Sequence, residues 1–104
     1  MAIFFYYLGQ MCVKIYIRDI LYIEGLKDYV KIYTHDKKIL TLTTLKKITE
    51  KLSSANFLRI HRSYIIAIDK IDSIQRNRVI IKDKRIPIGN SYKDDFFKRI
   101  NEFN

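Results

Sequence analysis

Alternation of apolar and polar residues predicts several strands in the first part of the chain. Val13, Ile15 and Ile17 share one face of the segment CVKIYI, a period of two that is typical of a β-strand. Arg18-Asp19 breaks this pattern, and ILYI begins a second strand. DYVKIYT and ILTLT alternate on either side of the polar residues HDKK, which predicts a hairpin with its turn at those residues.

The segment TTLKKITEKL has the period of a helix instead. Leu45, Ile48 and Leu52 recur at helical spacing, and Thr44 stands where an N-cap belongs. The apolar runs FLRI and YIIAI that follow predict two strands, separated by the polar or semi-polar residues His61 to Tyr64. A histidine, an arginine and two hydroxyl groups therefore lie between segments that belong in a core.

Residues 69–88 predict three short strands joined by turns. The turns are expected at Arg76-Asn77 and Asp83-Lys84. Pro87 has no N–H to donate to a neighbouring strand, so the last of these strands is predicted to lie at a sheet edge.

The end of the chain predicts a helix. Gly89-Asn90 interrupts the strand pattern, and Ser91 is the predicted N-cap, with Asp94 three residues further on. The buried stripe of this helix is predicted to comprise Phe96, Ile100 and Phe103, with Phe97 beside it.

These elements predict a single mostly β domain over residues 1–104, with a short central helix and a C-terminal helix. The apolar residues 1–11 are interpreted as an edge strand or as the start of a fragment. They are far shorter than a membrane span, so no membrane association is expected. Cys12 is the only cysteine, which excludes an intrachain disulfide and fits a reducing compartment such as the cytoplasm. We expect Cys12 to pack as a small hydrophobic residue.

The charge of the chain is strongly positive. Twenty Lys and Arg residues against eleven Asp and Glu give a net charge of +9 and a pI near 9.7. Such a field attracts polyanions, including nucleic acid, an anionic membrane surface or acidic proteins. A lysine-rich solubilising surface has the same composition, so charge alone leaves both interpretations open.

Catalysis and metal binding find little support in the sequence. His61 as a base and Ser63 as a nucleophile would need an oriented carboxylate and an oxyanion site, and the chain has no Gly-x-Ser-x-Gly or glycine-rich phosphate motif. His35 and His61 are the only histidines, and no spacing of metal ligands recurs. We therefore expect no enzyme activity, no metal and no cofactor.

Three breaks in the strand pattern carry the polar groups. The first break is GLKDY, residues 25–29; the second is HRS, residues 61–63; the third is GNSYK, residues 89–93. Arginine suits guanine and asparagine suits adenine, while Ser, Tyr, Lys and backbone N–H groups suit phosphate. If the breaks converge, they form a surface that reads bases and holds the DNA backbone. Otherwise each is an ordinary surface loop.

Several segments, in order, resemble the LytTR family of DNA-binding domains. They are DILYIEGLKDYVKIYT, TLKKITEKL, FLRIHRSYIIAIDKI and IPIGNSYKDDF, and together they cover about residues 12–100. The resemblance implies about ten short strands in small packed sheets, with no helix-turn-helix. It also implies an output module of a bacterial response regulator in a two-component system, following a receiver domain. Loops between strands would enter successive major grooves of a bent duplex, as dimers or paired monomers on direct repeats.

The family's base-contacting positions fall in the three breaks. They map to Asp28 and Tyr29, to Arg62, and to Asn90, and the supporting or phosphate-contacting candidates are Lys27, His61, Ser63, Ser91, Tyr92 and Lys93. Many members carry an arginine at or beside Asn90. Its absence here favours adenine recognition, or a phosphate contact by Lys93. Asp28 either accepts from cytosine or holds its turn, and His61 either contacts DNA or packs within its loop.

Two alternatives remain open at the level of sequence. A small β domain with exposed Tyr and Lys residues can dock on acidic proteins or lipid headgroups as a non-catalytic signalling module. Tyrosines can also stack on single-stranded RNA, but here they mostly alternate within strands, which favours structural roles.

Overall fold

The computed structural model describes residues 3–52 and 54–103, with the backbone alone at Phe4 and Leu8. The described residues form ten strands and two α-helices, joined by short 3-10 helices. The strands are β1 Ile3–Leu8, β2 Met11–Tyr16, β3 Ile20–Leu26, β4 Tyr29–Thr34, β5 Lys38–Thr41, β6 Phe57–His61, β7 Tyr64–Ala67, β8 Ser73–Gln75, β9 Arg78–Ile81 and β10 Lys84–Pro87; the helices are α1 Leu45–Thr49 and α2 Lys93–Asn101. This mostly β architecture confirms the fold class predicted from the sequence.

The strands form three antiparallel sheets. The central sheet has five strands in the order β5-β4-β3-β7-β6. A two-stranded sheet is formed by β1 and β2, and a three-stranded sheet has the order β10-β9-β8. β10 therefore lies at an edge, as Pro87 predicts, and β3 lies at the centre of the largest sheet.

The central sheet is covered on both faces, which gives the domain three layers. One apolar core joins the sheet to the β1–β2 hairpin and to α1, and includes Ile15, Ile23 and Ile48. A second core joins the opposite face to the three-stranded sheet and α2, and includes Tyr22, Ile81 and Phe96. Burial on both faces explains why the run ILYI in β3 is apolar without alternation: all four of its residues are buried.

Helix α1 follows its predicted pattern. The backbone N–H of Lys47 donates to Oγ1 of Thr44 over 3.1 Å, which confirms Thr44 as the N-cap. Leu45, Ile48 and Leu52 are all buried in the first core. The helix is a short element whose stability comes from packing on the sheet.

Two predictions about the C-terminal helix are wrong. Ser91 lies inside the 3-10 helix Asn90–Tyr92, so Tyr92 takes the N-cap position of α2 and makes no side-chain capping bond. Phe96 is fully buried, but Phe103 is 66% exposed. The reason is that α2 ends at Asn101, so Phe103 lies beyond the helical period that would have turned it inward.

Two further predictions need correction. Lys84 pairs with Ile81, so the turn is Lys82-Asp83 and not Asp83-Lys84. Cys12 is exposed and not packed as a small hydrophobic residue. It alternates with Val13 on β2, and because Val13 and Ile15 pack on the first core, Cys12 points to the outer face.

Candidate nucleic-acid interface

The first break is the tight turn of the β3–β4 hairpin. Leu26 pairs with Tyr29, which leaves Lys27 and Asp28 as a two-residue loop. Lys27 has a φ of 60°, a left-handed conformation that costs a residue with a Cβ about 1–2 kcal/mol. The side chains of Lys27, Asp28 and Tyr29 are exposed. Asp28 thus occupies a turn position, and its side chain faces solvent at the end of the hairpin.

The second break is the turn of the β6–β7 hairpin and lies directly beside the first. His61 pairs with Tyr64, so Arg62 and Ser63 form the loop. The backbone N–H of Gly25 donates to the carbonyl oxygen of Ser63 over 2.8 Å. This bond continues the pairing of β3 with β7 and fixes both breaks at the same end of the central sheet.

The third break lies on the other side of the second. The N–H of Gly89 donates to the carbonyl oxygen of Ile60 over 2.8 Å. A Cβ added at Gly89 would lie 3.1 Å from Cδ2 of Tyr92 and 3.6 Å from the Cα of His61. This close approach favours glycine, and it places the 3-10 helix Asn90–Tyr92 against the end of β6.

The three breaks therefore converge on one end of the molecule, in the order first, second, third. The exposed candidates are Lys27, Asp28, Tyr29, Arg62, Asn90 and Ser91, and the half-buried candidates are His61, Ser63, Tyr92 and Lys93. The interpretation of three unrelated surface loops is excluded by the backbone bonds that join them.

His61 is held inside the second break. Its Nδ1 accepts a hydrogen bond from the backbone N–H of Ser63 over 3.0 Å, and its ring lies 5.6 Å from that of Tyr64. Because Nδ1 acts as an acceptor, the neutral ring carries its proton on Nε2. His61 thus packs and bonds within its loop, and a direct contact of its half-buried ring with DNA stays a prediction.

Arg59 shapes the second break, although sequence analysis did not single it out. Its Nη2 donates to the carbonyl oxygen of Arg62 over 2.6 Å, and its Nε to that of His61 over 3.4 Å. Two carbonyl groups at the turn are thereby held by one guanidinium. The available signal was an arginine in the apolar run FLRI, close in sequence to the loop that it supports.

Glu24 supports the same region from the central strand and was also missed. Its carboxylate accepts hydrogen bonds from the hydroxyls of Tyr33, over 3.2 Å, and Tyr64, over 3.1 Å. Burial raises the pKa of both tyrosines, and the negative charge of Glu24 raises it further. Sequence could not reveal this contact, because Tyr64 is 40 positions away from Glu24.

Two features are absent from the described residues, a cluster of metal ligands and a membrane-spanning helix. Residues 3–52 and 54–103 contain no group of three or more His, Cys, Asp or Glu side chains placed to hold a metal ion. Within the same ranges no helix has the length and apolar character needed to cross a membrane. Fold and site together define a mostly β domain that gathers three polar loops at one end of its central sheet.

Comparison with known proteins identifies the family to which the chain belongs. A profile of the LytTr DNA-binding domain family matches residues 10–101. The chain therefore belongs to that family, and this membership supports DNA binding. A solved LytTr DNA-binding domain from Bacillus cereus has the same fold, with a TM-score of 0.82 over 96% of this chain and 97% of that one, at 17% identity.

Curated relatives are longer than this chain. Two proteins called Sensory transduction protein LytT, from Bacillus subtilis (strain 168) and Bacillus anthracis, are each 29% identical to it, over 96 and 95 residues. The alignments cover 86% of this chain but 40% and 39% of those proteins. The chain thus spans about two fifths of the length of the relatives that it matches.

Proposed function

We propose that this chain binds double-stranded DNA sequence-specifically through the three breaks, as the non-catalytic output domain of a cytoplasmic response regulator. The observation that carries the proposal is the Gly25–Ser63 and Gly89–Ile60 backbone bonds, which gather the three breaks at one end of a rigid sheet. A rigid scaffold lowers the entropy lost when loops dock in a groove. The family membership of the chain agrees with this use of the surface.

Within this proposal the residues divide into base-reading and supporting groups. Arg62 is exposed at the loop and suits guanine through two parallel hydrogen bonds, while Asn90 suits adenine. Tyr29 completes the base-facing set at the first break. The backbone phosphates are held by Lys27, Ser63, Ser91, Tyr92 and Lys93. Asp28 holds the turn of the first break, and His61 keeps the second break in its conformation.

Assembly on DNA is part of the proposal. Two copies of the domain would occupy direct repeats as a dimer or as paired monomers, and a receiver domain would precede them in the full-length regulator. The name of the LytT relatives includes sensory transduction, and those proteins extend well beyond the aligned part. This supports a role in signal-dependent transcription control.

Selection of bound sites from a random pool of duplexes tests the proposal. Sequence-specific binding predicts that the pool converges on one motif, repeated in the same orientation. Convergence on no motif, with uniform binding at about 10⁻⁴–10⁻⁶ M at physiological salt, is the sequence-blind behaviour of a basic protein. That result would favour a docking module for acidic proteins or lipid headgroups instead.

Arg62→Ala tests the base-reading role on the selected duplex. We expect a loss of about 1–3 kcal/mol in binding and relaxed preference at one base pair, measured by fluorescence anisotropy with single-base variants of the site. Arg18→Ala is the matched control, because Arg18 is exposed and lies in the 3-10 helix before β3, at the end of that strand remote from Gly25. Equal affinities for the two variants would refute the role of Arg62.

A further inference from the structure

A basic cleft lies between helix α1 and the first two breaks. Its volume is about 320 Å³, and its lining includes the cations Lys27, Lys46, Arg59 and Arg62 and the hydroxyl residues Thr44 and Ser63. We call it the α1 cleft. Lys46, Thr44 and Arg59 lie outside the three breaks, so the cleft extends the positively charged surface onto a further element of the fold.

The absence of acidic groups distinguishes the α1 cleft from two other basic clefts of the described residues. The larger cleft of about 720 Å³ at the opposite end of the central sheet is lined by lysines together with Asp36 and Asp83. Another is lined by Lys14 and Lys37 together with Asp19 and Asp36. The residues that line the α1 cleft include no Asp or Glu, so its cations are not neutralised from within and attract an external anion.

Gly25 brings the walls of the α1 cleft together. A Cβ added at Gly25 would lie 2.8 Å from Cδ1 and 3.0 Å from Cγ of Leu45, the first residue of α1. The same residue donates its N–H to Ser63. A side chain at this position would therefore meet the side chain of Leu45. The glycine leaves room for Leu45, and so for the close approach of α1 to the central sheet beside the second break.

Hydrogen-bond donors remain available on the cleft walls. Oγ1 of Thr44 accepts the capping bond from Lys47, which leaves its own O–H as a donor. Arg59 uses Nε and one N–H of Nη2 for the carbonyl groups of the second break, two of the five N–H donors of a guanidinium. Ammonium, guanidinium and hydroxyl donors around an acid-free cleft match the oxygens of a phosphodiester.

We propose that the α1 cleft seats one phosphate of the DNA backbone and that Lys46 is a DNA-contacting residue. The inference rests on the proposed function and deepens it. It places a backbone contact beside the base-reading loops, where it would fix the orientation of the domain on the duplex. Lys46 supplies a charge to the phosphate, and Arg59 both holds the second break and faces the same anion.

Helix α1 offers a matched pair of variants for the test. Lys46 and Lys47 are adjacent and both exposed, but only Lys46 lines the α1 cleft. Lys46→Ala and Lys47→Ala remove the same charge from the same helix. Binding to a fluorescein-labelled 30-base-pair duplex of arbitrary sequence is measured by anisotropy from 50 to 200 mM salt, and thermal unfolding by circular dichroism checks that both variants fold.

The expected result is a change in salt dependence for one variant alone. Loss of one phosphate contact lowers the magnitude of the slope of log K against log salt by about 0.9. Between 50 and 200 mM salt, the affinity of Lys46→Ala for the duplex should therefore fall by a factor about 3.5-fold smaller than the fall for the wild type. Lys47→Ala should keep the wild-type slope, and Lys46→Arg should restore it. On the duplex selected from the random pool, which fixes the register of the protein, one uncharged methylphosphonate is placed at each position in turn. One position should weaken the wild type and leave Lys46→Ala unaffected.

The outcomes separate the two proposals. Equal slopes for Lys46→Ala and Lys47→Ala, with a wild type that binds the duplex, would overturn the phosphate seat and leave the proposed function intact. A wild type that binds no duplex at any salt concentration would overturn both.

Discussion

At the second break, some side chains hold the loop in its conformation and others face solvent, and His61 belongs to the first group. Its Nδ1 accepts a hydrogen bond from the N–H of Ser63, and Arg59 donates to the carbonyl oxygens of His61 and Arg62. The backbone of Arg62 is thereby held in place, and its side chain is exposed. One polar run in the sequence thus contains a residue that shapes the loop next to a residue that is exposed to solvent, for which we propose contact with DNA.

Glu24 leads to a prediction about alkaline pH. Burial, reinforced by the charge of Glu24, raises the pKa of Tyr33 and Tyr64 in the folded protein. A raised folded pKa favours the folded state while the hydroxyl is protonated. The contribution is fully present below the unfolded value of about 10 and is lost as the pH rises through the folded value. We expect the unfolding free energy to be flat from pH 8 to 9 and to fall above about pH 10.

Glu24→Gln is the variant that isolates this contribution, since it removes the charge and retains a hydrogen-bonding side chain. The loss of stability between pH 9 and pH 11 should be smaller in the variant than in the wild type. Denaturant titrations followed by circular dichroism at each pH measure it, and the lysines that both proteins share cancel in the comparison. The same alkaline loss in both proteins would show that the Glu24 charge does not act on the two tyrosines.

Among the elements, α2 follows the third break directly and packs on the second core through Phe96. Phe96 is fully buried in the second core, whereas Phe103 is 66% exposed beyond the end of the helix. Phe96→Ala should lower the unfolding free energy by about 3–5 kcal/mol through loss of burial and creation of a cavity. Phe103→Ala should stay within about 0.5 kcal/mol. Urea unfolding measures both, and similar losses for the two variants would mean that Phe103 packs in the core after all.

Local sequence patterns predict some of these elements correctly and others not. Alternation and short apolar runs predict the strands between Met11 and Pro87, and the Thr44 cap is predictable because its partner Lys47 lies three residues away. The Ser91 cap was mispredicted because a 3-10 helix precedes α2, and a 3-10 turn has no distinct sequence period. Which breaks become neighbours depends on contacts between distant segments, such as Gly25 with Ser63 and Leu45. No local pattern encodes those contacts, whereas the family resemblance implied the ten-strand fold and placed the base-contacting positions in the three breaks.

At the scale of the whole molecule, positive charge is present at both ends of the central sheet. The breaks and the α1 cleft hold Lys27, Lys46, Arg59, Arg62 and Lys93. The opposite end holds Lys37, Lys38, Lys82 and Lys84, interspersed with Asp36 and Asp83. A net charge of +9 therefore does not identify the end that binds DNA. Asp28 lies in the first break, so the distinguishing feature is the α1 cleft, whose lining includes no Asp or Glu.

Two double variants decide which end binds DNA. Lys27→Gln/Lys93→Gln and Lys37→Gln/Lys84→Gln each remove two positive charges from exposed or half-buried side chains, so their effects on the long-range field are alike. If the breaks contact the phosphates, the first variant should have a salt slope whose magnitude is smaller by about 1.8 than that of the wild type. The loss of affinity between 50 and 200 mM salt should then be about twelvefold smaller in the variant than in the wild type. The second should keep the wild-type slope, because distant exposed charges are largely screened at these salt concentrations. Anisotropy titrations on one duplex compare them directly. Equal reductions in both variants would mean that DNA binds the diffuse positive charge of the molecule, and that convergence of the breaks serves another purpose.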